Sequence, residues 1–344
     1  MYARNAWYVA AWTDQIPVDK PYAVSILSDP IVVYRAGTSG KLAALEDRCV
    51  HRLAPLSLGR CEGERLRCMY HGLLFNPDGT VAEIPGQAKI PPQARVKAYP
   101  VAERASWVWV WMGDPALADE ALIPPAIGPE DPDYIMGHGH LDYAAEARLI
   151  NDNLLDFSHL SFVHAQSFGV GTDFADALPK LEATTRGVRF SRWIENSPGP
   201  VGRNSDEGTD NYMCYDFVVP GILMMWGGSF PLGTAQASDM GPPDRSKATG
   251  GVTFTSQAVT PMREGEARYF FCWGPHKDHG DEKLRDFLMG VADKAFAEDK
   301  VMIEAQYKVI CGTANPVVMP TAHDRGVTIF SRLVEKMARE EAPA

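Results

Sequence analysis

The sequence lacks a run of apolar residues long enough to cross a membrane. A spanning helix needs about 18 or more such residues, whereas the apolar N-terminal stretch AWYVAAW covers only residues 6–12. This stretch also has no convincing cleavage site, so we expect neither a signal peptide nor a membrane span. The cytoplasm is the predicted compartment.

Basic residues and cysteines are both scarce. The 344 residues include 33 Lys and Arg against 44 Asp and Glu, which gives a formal net charge of −11. This acidity argues against nucleic acid or an anionic membrane as the main partner. Six cysteines in a chain of this length do not indicate a disulfide framework. Four of the six are interpreted as packing residues: Cys61, Cys214, Cys272 and Cys311.

Turn signals and prolines divide the chain into two parts. Short β-rich runs extend over residues 23–112, and SWVWVWMG (106–113) alternates Trp with Val as a half-buried strand does. Five prolines follow between residues 114 and 134, which indicates a linker. We therefore predict three segments: a small antiparallel β domain over 1–114, a linker over 115–134 and a second domain over 135–344.

The second domain mixes helices and strands. Helices are predicted over residues 146–164 and about 281–310. Strands are predicted near residues 188–195, 212–219, 252–259 and 268–273. Two loops, 196–211 and 233–251, are long enough to be lids, and GILMMWGGSF (221–230) is interpreted as a buried strand rather than a pocket lining. The predicted fold is α+β, with an antiparallel sheet and a long C-terminal helix in the second domain (helix-grip-like).

Two thiols and two imidazoles form a close group in the first domain. Cys49 lies two residues before His51, and Cys68 lies three residues before His71. Such mixtures hold tetrahedral zinc or an iron–sulfur centre. Zinc fingers usually pair Cys with Cys and His with His, but each half of this group has one of each. A Rieske [2Fe–2S] centre, with two cysteines on one iron and two histidines on the other, fits better than structural zinc or four unrelated residues.

A second group of polar residues lies within NDNLLDFSHLSFVH. Asn153, Asp156 and His159 recur at intervals of three and would share one side of a helix. His164 would lie about 140° around an ideal helix from His159. Both histidines can therefore bind one metal only if the helix kinks or ends between them. Two histidines and a carboxylate form the facial triad of non-haem Fe(II) oxygenases, although a lone histidine on such a segment is more often a core residue.

The carboxylate of such a triad is expected from the last helix. Glu298 and Asp299 both fall within about 60° of the apolar stripe of that helix. A buried carboxylate needs a metal or a cation beside it, and a salt bridge at the edge of the stripe is the alternative. Helical periodicity does not choose between Glu298 and Asp299.

The motifs CVHRLAPLSLG and CMYHGLLF resemble the Rieske signature of ring-hydroxylating and O-demethylating oxygenases. RNAWYVAAW, NDNLLDFSHLSFVH and AEDK extend the resemblance over essentially the whole chain. The sequence thus resembles the Rieske non-haem iron oxygenases, in particular the oxygenase components of vanillate O-demethylase and dicamba monooxygenase. One departure is that Val50 and Met69 stand where many relatives carry proline. Neither residue is a ligand, but the potential of the cluster is expected to depend on them.

The resemblance implies the ligands and a role for two further residues. It selects Asp299 as the third ligand of a mononuclear Fe(II), beside His159 and His164, and it places Asn153 and Asp156 among the catalytic residues. In the resembling oxygenases, the aspartate that matches Asp156 bridges to a Rieske histidine of the neighbouring subunit in a homotrimer. This implies a bridge between Asp156 and His71 of the next chain. Asp156 is also expected to orient His159 through its carboxylate.

The implied activity is that of a terminal oxygenase. It would use O2 to hydroxylate the methyl group of a methoxylated aromatic acid, and the resulting hemiacetal would collapse to a phenol and formaldehyde. Related enzymes instead hydroxylate methyl or ring carbons. Since the sequence contains no G-x-G-x-x-G fingerprint and no recognisable flavin site, an NADH-dependent flavin and ferredoxin-type reductase is expected as partner.

Two other functions are less well supported by the sequence. A simple electron-transfer Rieske protein would not need the roughly 230 residues that follow the first domain. A zinc-stabilised binding module would be colourless, whereas a Rieske protein is red-brown. The sequence does not identify the aromatic substrate.

Overall fold

The chain folds into two units. The computed structural model describes residues 2–37, 39–168, 173–197 and 208–341. The N-terminal unit contains Tyr2–Ile123 and Thr260–Glu264, and the C-terminal unit contains Pro124–Val259 and residues 265–341. The first boundary, at Ile123, falls within the segment 115–134 that was predicted as a linker.

The N-terminal unit is built from short antiparallel strands. These are β1 (Trp7–Trp12), β2 (Tyr22–Ile26), β3 (Asp29–Arg35), β4 (Leu42–Glu46), β5 (Arg60–Glu62), β6 (Arg65–Arg67), β7 (Leu74–Phe75), β8 (Val81–Glu83), β9 (Ala98–Tyr99), β10 (Val101–Arg104) and β11 (Trp107–Trp111). They form three sheets with the orders β1-β11-β10, β2-β3-β4-β9 and β5-β6-β7-β8. Strand β11 was predicted to be half-buried, but all five of its residues are buried. Trp107 and Trp111 pack on Trp12 and Trp7 of the neighbouring strand β1, and the valines on the opposite face are buried as well.

The C-terminal unit contains one large antiparallel sheet. Its strands are β12 (Gly137–Tyr143), β13 (Lys180–Thr184), β14 (Gly187–Ser197), β15 (Thr209–Val218), β16 (Ile222–Phe230), β17 (Gly250–Arg263) and β18 (Glu266–Pro275). They lie in the order β12-β18-β17-β16-β15-β14-β13. The four strands predicted here and the buried strand at 221–230 are confirmed. Strands β12 and β13 were not predicted.

The helices of the C-terminal unit are α1 (Ala147–Leu155), α2 (Leu160–Val163), α3 (Asp173–Asp176), α4 (Thr234–Ala237), α5 (Glu282–Gly312) and α6 (Arg325–Glu340). The long helix α5 is confirmed close to its predicted bounds, and the Asp281 side chain caps it by accepting a hydrogen bond from the Leu284 backbone N–H at 2.9 Å. Helix α6 was not predicted; its Phe330 packs on Phe217 of β15.

The single helix predicted over 146–164 is wrong. Helix α1 ends at Leu155, Asp156 has extended backbone angles, and a short 3₁₀ turn (Phe157–His159) precedes α2. The Asp156 carboxylate accepts a hydrogen bond from the Ser158 backbone N–H at 2.9 Å, so it caps the new turn. Asn153, Asp156 and His159 therefore do not share one side of a continuous helix.

Of the two loops predicted as lids, 233–251 contains α4 and a 3₁₀ turn at Arg245–Lys247. In the other, 196–211, residues 198–207 lie outside the described part of the chain. No helix within the described ranges is long and apolar enough to cross a membrane.

Candidate metal centres

The Cys49–His51 and Cys68–His71 loops have the same backbone geometry. The first follows β4 and the second joins β6 to β7. In each loop, the cysteine N–H donates to the carbonyl five residues later at 2.8 Å, and its carbonyl accepts from the N–H four residues later. The residue at that fourth position has a positive φ in both loops, 58° at Leu53 and 78° at Gly72. Two loops of unrelated sequence thus present their cysteine and histidine in the same way.

The four side chains divide into a buried pair and an exposed pair. Cys49 and Cys68 are only 2% and 1% exposed. The rings of His51 and His71 are exposed and lie with centroids 4.5 Å apart. Two adjacent thiols inside and two adjacent imidazoles outside match the donor set of a Rieske [2Fe–2S] cluster, in which each iron takes a pair of like ligands.

The thiol and imidazole groups differ in how readily they reach the form that binds a metal. Burial raises the pKa of the Cys49 thiol to about 11. The cluster must therefore displace this proton, since thiolates and neutral imidazoles are the ligating forms. Desolvation, followed by the nearby His51 and Arg52, lowers the pKa of His71.

The C-terminal unit brings together His159, His164 and Asp299. One nitrogen of each imidazole and one carboxylate oxygen all lie within 4.8 Å of one another. Asp299 Oδ1 is 3.2 Å from His164 Nε2 and 3.6 Å from His159 Nε2. His164 is 1% exposed and Asp299 is 5% exposed. Two imidazoles and a buried carboxylate converging on one point fit a single Fe(II) with coordination positions left open.

The break after α1 makes this convergence possible. His159 ends the 3₁₀ turn and His164 follows the last residue of α2, so the two rings do not point to opposite sides of one helix. Their centroids lie 5.3 Å apart. Asn153, on the last turns of α1, donates to Asp299 Oδ1 at 3.1 Å and has its amide nitrogen 3.3 Å from His159 Nε2.

The second nitrogen of each histidine has its own partner. His159 Nδ1 is hydrogen-bonded to the backbone carbonyl of Asp156. The expectation that the Asp156 carboxylate orients His159 is therefore wrong, because that carboxylate caps the following turn. His164 Nδ1 is hydrogen-bonded to Glu298 Oε2 at 3.0 Å, and Ser167 Oγ donates to the same oxygen at 2.6 Å. Such partners fix the orientation of a ligating imidazole.

The two histidines have opposite pKa shifts. Burial lowers the pKa of His159. Burial also disfavours the charged form of His164, but its hydrogen bonds with Asp299 and Glu298 outweigh burial and raise its pKa. Each ring nitrogen of His164 thus faces a carboxylate, and the two carboxylates favour its charged form. A metal ion held by this imidazole would have to displace the proton between His164 and Asp299.

Glu298 is the residue of this group to which the sequence assigned no role of its own. The helical periodicity placed it beside the apolar stripe but could not separate it from Asp299. The structure gives the two neighbours different partners, since Asp299 faces both histidines and Glu298 reaches only the far nitrogen of His164.

The Asp156 carboxylate lies at the edge of this centre. Its side chain is 25% exposed, and His323 Nδ1 is 4.0 Å from its Oδ1. Arg192, buried against the Phe174 ring, is close enough for the charge of Asp156 to act on its pKa. The bridge from Asp156 to His71 of a neighbouring subunit stays a prediction.

A cavity of about 420 Å³ lies elsewhere in the C-terminal unit. Cys214 and Asp216 of β15 line this cavity. Phe217, whose side chain projects from the opposite face of the same strand, packs on α6. The Arg245 guanidinium lies over the Trp226 ring at 4.5 Å in the same cavity. Its lining includes several residues of the loop 233–251 but none of the candidate iron ligands, so the predicted lid borders this cavity instead.

Comparisons with known proteins agree with both centres. The Rieske [2Fe-2S] domain matches residues 6–100, and the vanillate O-demethylase oxygenase C-terminal domain matches residues 143–340. The iron–sulfur subunit of the toluene-4-sulfonate monooxygenase system from Comamonas testosteroni is 39% identical, covering 99% of this chain and 98% of the relative. The vanillate O-demethylase oxygenase subunit from Pseudomonas sp. is 32% identical, covering 100% and 97%.

A solved structure shares the whole fold. Dicamba monooxygenase bound to 3,6-dichlorosalicylic acid superimposes with a TM-score of 0.88 at 27% identity, covering 99% of each chain. The order of a Rieske β domain and a catalytic domain with an antiparallel sheet and a C-terminal helix is thereby confirmed. The chain belongs to the Rieske non-haem iron oxygenases, with a [2Fe–2S] cluster and a mononuclear iron as cofactors, and it is the terminal oxygenase of an aromatic monooxygenase.

Proposed function

We propose that this oxygenase removes the methyl group of a methoxylated aromatic acid such as vanillate, giving a phenol and formaldehyde. The observation that carries the proposal is the convergence of His159, His164 and Asp299 within a unit that matches the vanillate O-demethylase oxygenase domain. The relatives named for vanillate and dicamba O-demethylation extend over nearly the whole chain.

The proposal assigns the ligands of both centres. Cys49 and Cys68 hold the inner iron of the cluster, and the exposed His51 and His71 hold the outer one. His159, His164 and Asp299 hold the mononuclear iron. The cluster supplies single electrons and the mononuclear iron supplies the chemistry of O2 activation.

The surrounding residues position these ligands. Asn153 keeps Asp299 and His159 together through its amide group, and Glu298 holds the ring of His164. The backbone carbonyl of Asp156 holds the ring of His159. Each contact fixes a ring or a carboxylate before the metal arrives, which lowers the cost of forming the site.

Hydroxylation of a ring methyl group is the second candidate. It is favoured by the 39% identity to the toluene-4-sulfonate monooxygenase subunit, whose named substrate carries a methyl group in place of a methoxy group. The substrates of both candidate reactions carry an aromatic ring, an anionic substituent and an oxidisable methyl group. They differ in the product, because only a methyl ether releases formaldehyde.

The oxygenase works with other protein chains in this proposal. An NADH-dependent reductase with a flavin and a ferredoxin-type centre delivers the electrons. Three copies of the chain form the working unit, with Asp156 of one chain beside His71 of the next. Exposed apolar residues on α5 and the segment after it support such an assembly: Val301, Met302, Val309, Val317, Val318 and Met319. The compartment we propose is the reducing cytoplasm, where the thiols that bind the cluster are kept from forming disulfides.

A product assay tests the proposal. The iron-loaded protein, a compatible reductase and NADH are incubated with vanillate, other methoxybenzoates and toluene-4-sulfonate. We expect formaldehyde in amounts equal to the phenol formed from at least one methoxybenzoate. Formation of the hydroxymethyl product from toluene-4-sulfonate, without formaldehyde from any methoxybenzoate, would establish the second candidate instead.

A further inference from the structure

The inner face of strand β18 is aromatic and faces α5. Tyr269, Phe271 and Trp273 alternate along the strand and so project from one face. The rings of Tyr269 and Phe271 contact Phe296 of α5 with centroids 5.1 and 4.7 Å apart. Gly137 of β12 pairs directly with Trp273, and a side chain at Gly137 would meet Met289 of α5. Trp273 therefore lies between the sheet and the helix that carries Asp299.

Trp273 is also close to the iron site along a second path. Its ring lies 6.2 Å from the Phe168 ring, and the Phe168 ring lies 5.1 Å from the His164 ring. Phe168 belongs to the turn that follows His164, and its backbone N–H donates to the His164 carbonyl at 3.0 Å. The indole is thus two ring contacts away from a proposed iron ligand.

The indole N–H of Trp273 is buried and, among the residues that the structure describes, has no hydrogen-bond partner. An indole N–H is only a donor, and a buried donor without an acceptor is costly. For several other tryptophans the fold supplies that acceptor. Four other indoles donate to backbone carbonyls, those of Trp7, Trp109, Trp111 and Trp193.

We propose that Trp273 is a specificity residue that donates its indole N–H to the anionic substituent of the aromatic substrate. The inference rests on the proposed function, since it concerns the same site. The ligand class it names is a benzene ring with a carboxylate or sulfonate, because a charged acceptor makes the stronger hydrogen bond. Phe168 and Phe271 provide aromatic surface for the ring. Anchoring the ring by its anion fixes which end of the substrate meets the iron.

The replacement Trp273→Phe tests this directly. It keeps an aromatic ring against Phe168 and removes only the donor. Calorimetry on the iron-loaded protein compares two matched pairs: 4-methoxybenzoate with 4-methoxybenzamide, and toluene-4-sulfonate with toluene-4-sulfonamide. We expect the dissociation constant of an anion that binds the parent to rise about tenfold or more, and that of its neutral partner to change less than about threefold.

Trp107→Phe is the matched control. The Trp107 indole N–H is also buried and finds no partner within the described part of the chain, but it lies in the N-terminal unit. This replacement should leave all four dissociation constants unchanged. Thermal unfolding and the red-brown spectrum show whether each variant is folded and loaded.

Three results would overturn the inference. The first is an unchanged anion affinity in folded Trp273→Phe, and the second is an equal loss for anion and amide, which would indicate a packing role. The third is a parent protein that binds neither anion. A failure of O-demethylation would be seen separately, as absence of formaldehyde, while the affinities still report on the indole donor.

Discussion

At the scale of single residues, the proposed cluster ligands include two thiols that the fold keeps from water. Cys68 is buried against Leu66, Leu73 and Phe75 in one apolar core. We predict that Cys68→Ala abolishes the visible spectrum of the cluster, because one iron would lose a thiolate ligand. Measurement of acid-labile sulfide in the purified variant checks this. Cys61→Ala is the control, since Cys61 packs at the edge of the same core and should keep its full sulfide content.

At the mononuclear site, a single replacement can separate loss of that iron from loss of the cluster. We predict that His159→Ala loses turnover but keeps the red-brown colour, because the cluster ligands lie in the other unit. Iron analysis should give the two cluster irons per chain, where the parent has these and one more. An unchanged iron count, with lower stability, would show that His159 only packs a core. His140→Ala serves as control, because His140 lies on β12 and outside the candidate triad.

The sequence could predict these residues to different extents. The Cys-x-His and Cys-x-x-His spacings identify the cluster almost alone, since all four residues lie within 23 positions of one another. Asp299 needed the resemblance, because periodicity leaves Glu298 equally possible. The contact of Glu298 with His164 joins residues 134 positions apart, and no local pattern contains such a contact.

At the scale of elements, helix α1 contains a carboxylate, that of Asp152, whose burial disfavours the charged form. Burial raises the pKa of Asp152 to about 6, although Arg148 lies 3.3 Å away. The folded state thus holds a proton that the unfolded state releases nearer pH 4. As the pH rises from 4 to 6, the unfolded state ionises first, and the free energy of unfolding falls.

We therefore predict that Asp152→Asn stabilises the C-terminal unit at pH 7.5. A gain of about 1 kcal/mol, reduced by the loss of the Arg148 pair, would raise its Tm by about 2–4 °C. The gain should shrink toward pH 4 and vanish below about pH 3, where the aspartate is protonated in both states. Differential scanning calorimetry at pH 7.5 and pH 4 measures this, with the exposed Asp293→Asn as control. A gain that is the same at both pH values would contradict the explanation.

Element boundaries show where local patterns fail. The apolar periodicity of 146–164 continues across Asp156, so it indicated one helix, but Asp156 and Ser158 form a cap that interrupts it. A capping hydrogen bond and an outward-facing polar residue look alike in sequence. The alternation of Trp and Val predicted strand β11 correctly, but it did not predict that both faces of the strand are buried. Burial of the second face depends on which residues cover it.

At the scale of the whole molecule, Asp156 is the residue proposed to join two subunits. Its cap uses Oδ1, and its side chain is still partly exposed. We predict that Asp156→Asn keeps both metals and the trimer, because the amide oxygen can still cap the turn. Reduction of the cluster by the reductase should remain normal, while its reoxidation with substrate and O2 should slow by orders of magnitude.

Stopped-flow absorbance at the cluster band measures both steps. Asp152→Asn is the matched control, because it removes a charge four residues earlier and should reoxidise at the parent rate. Parent-like reoxidation in Asp156→Asn would refute the bridge. Sedimentation that shows single chains at working concentration would refute the trimer.

The division of the chain into two units could be predicted only in part from the sequence. The proline-rich segment 115–134 marks the first boundary, and Ile123 lies within it. The sequence does not indicate that Thr260–Glu264 belongs to the N-terminal unit. Strand β17 runs into this segment without a break and ends at Arg263. Tertiary hydrogen bonds hold this segment in the N-terminal unit. The Thr260 hydroxyl donates to the Val9 carbonyl at 2.7 Å, and the Leu27 N–H donates to the Pro261 carbonyl at 2.9 Å.

The separation of the iron ligands along the chain has a mechanical consequence. His164 and Asp299 are 135 positions apart, so an ion that binds both closes a long loop of chain. A cross-link of this kind restricts the unfolded chain and holds α5 against the turn that carries the histidines. We predict that removing the mononuclear iron with a chelator speeds amide hydrogen exchange in α5 around Asp299, while exchange in β11 stays unchanged. On this prediction the metal stabilises the packing of α5, and the chain without iron should be the form that proteases cleave faster.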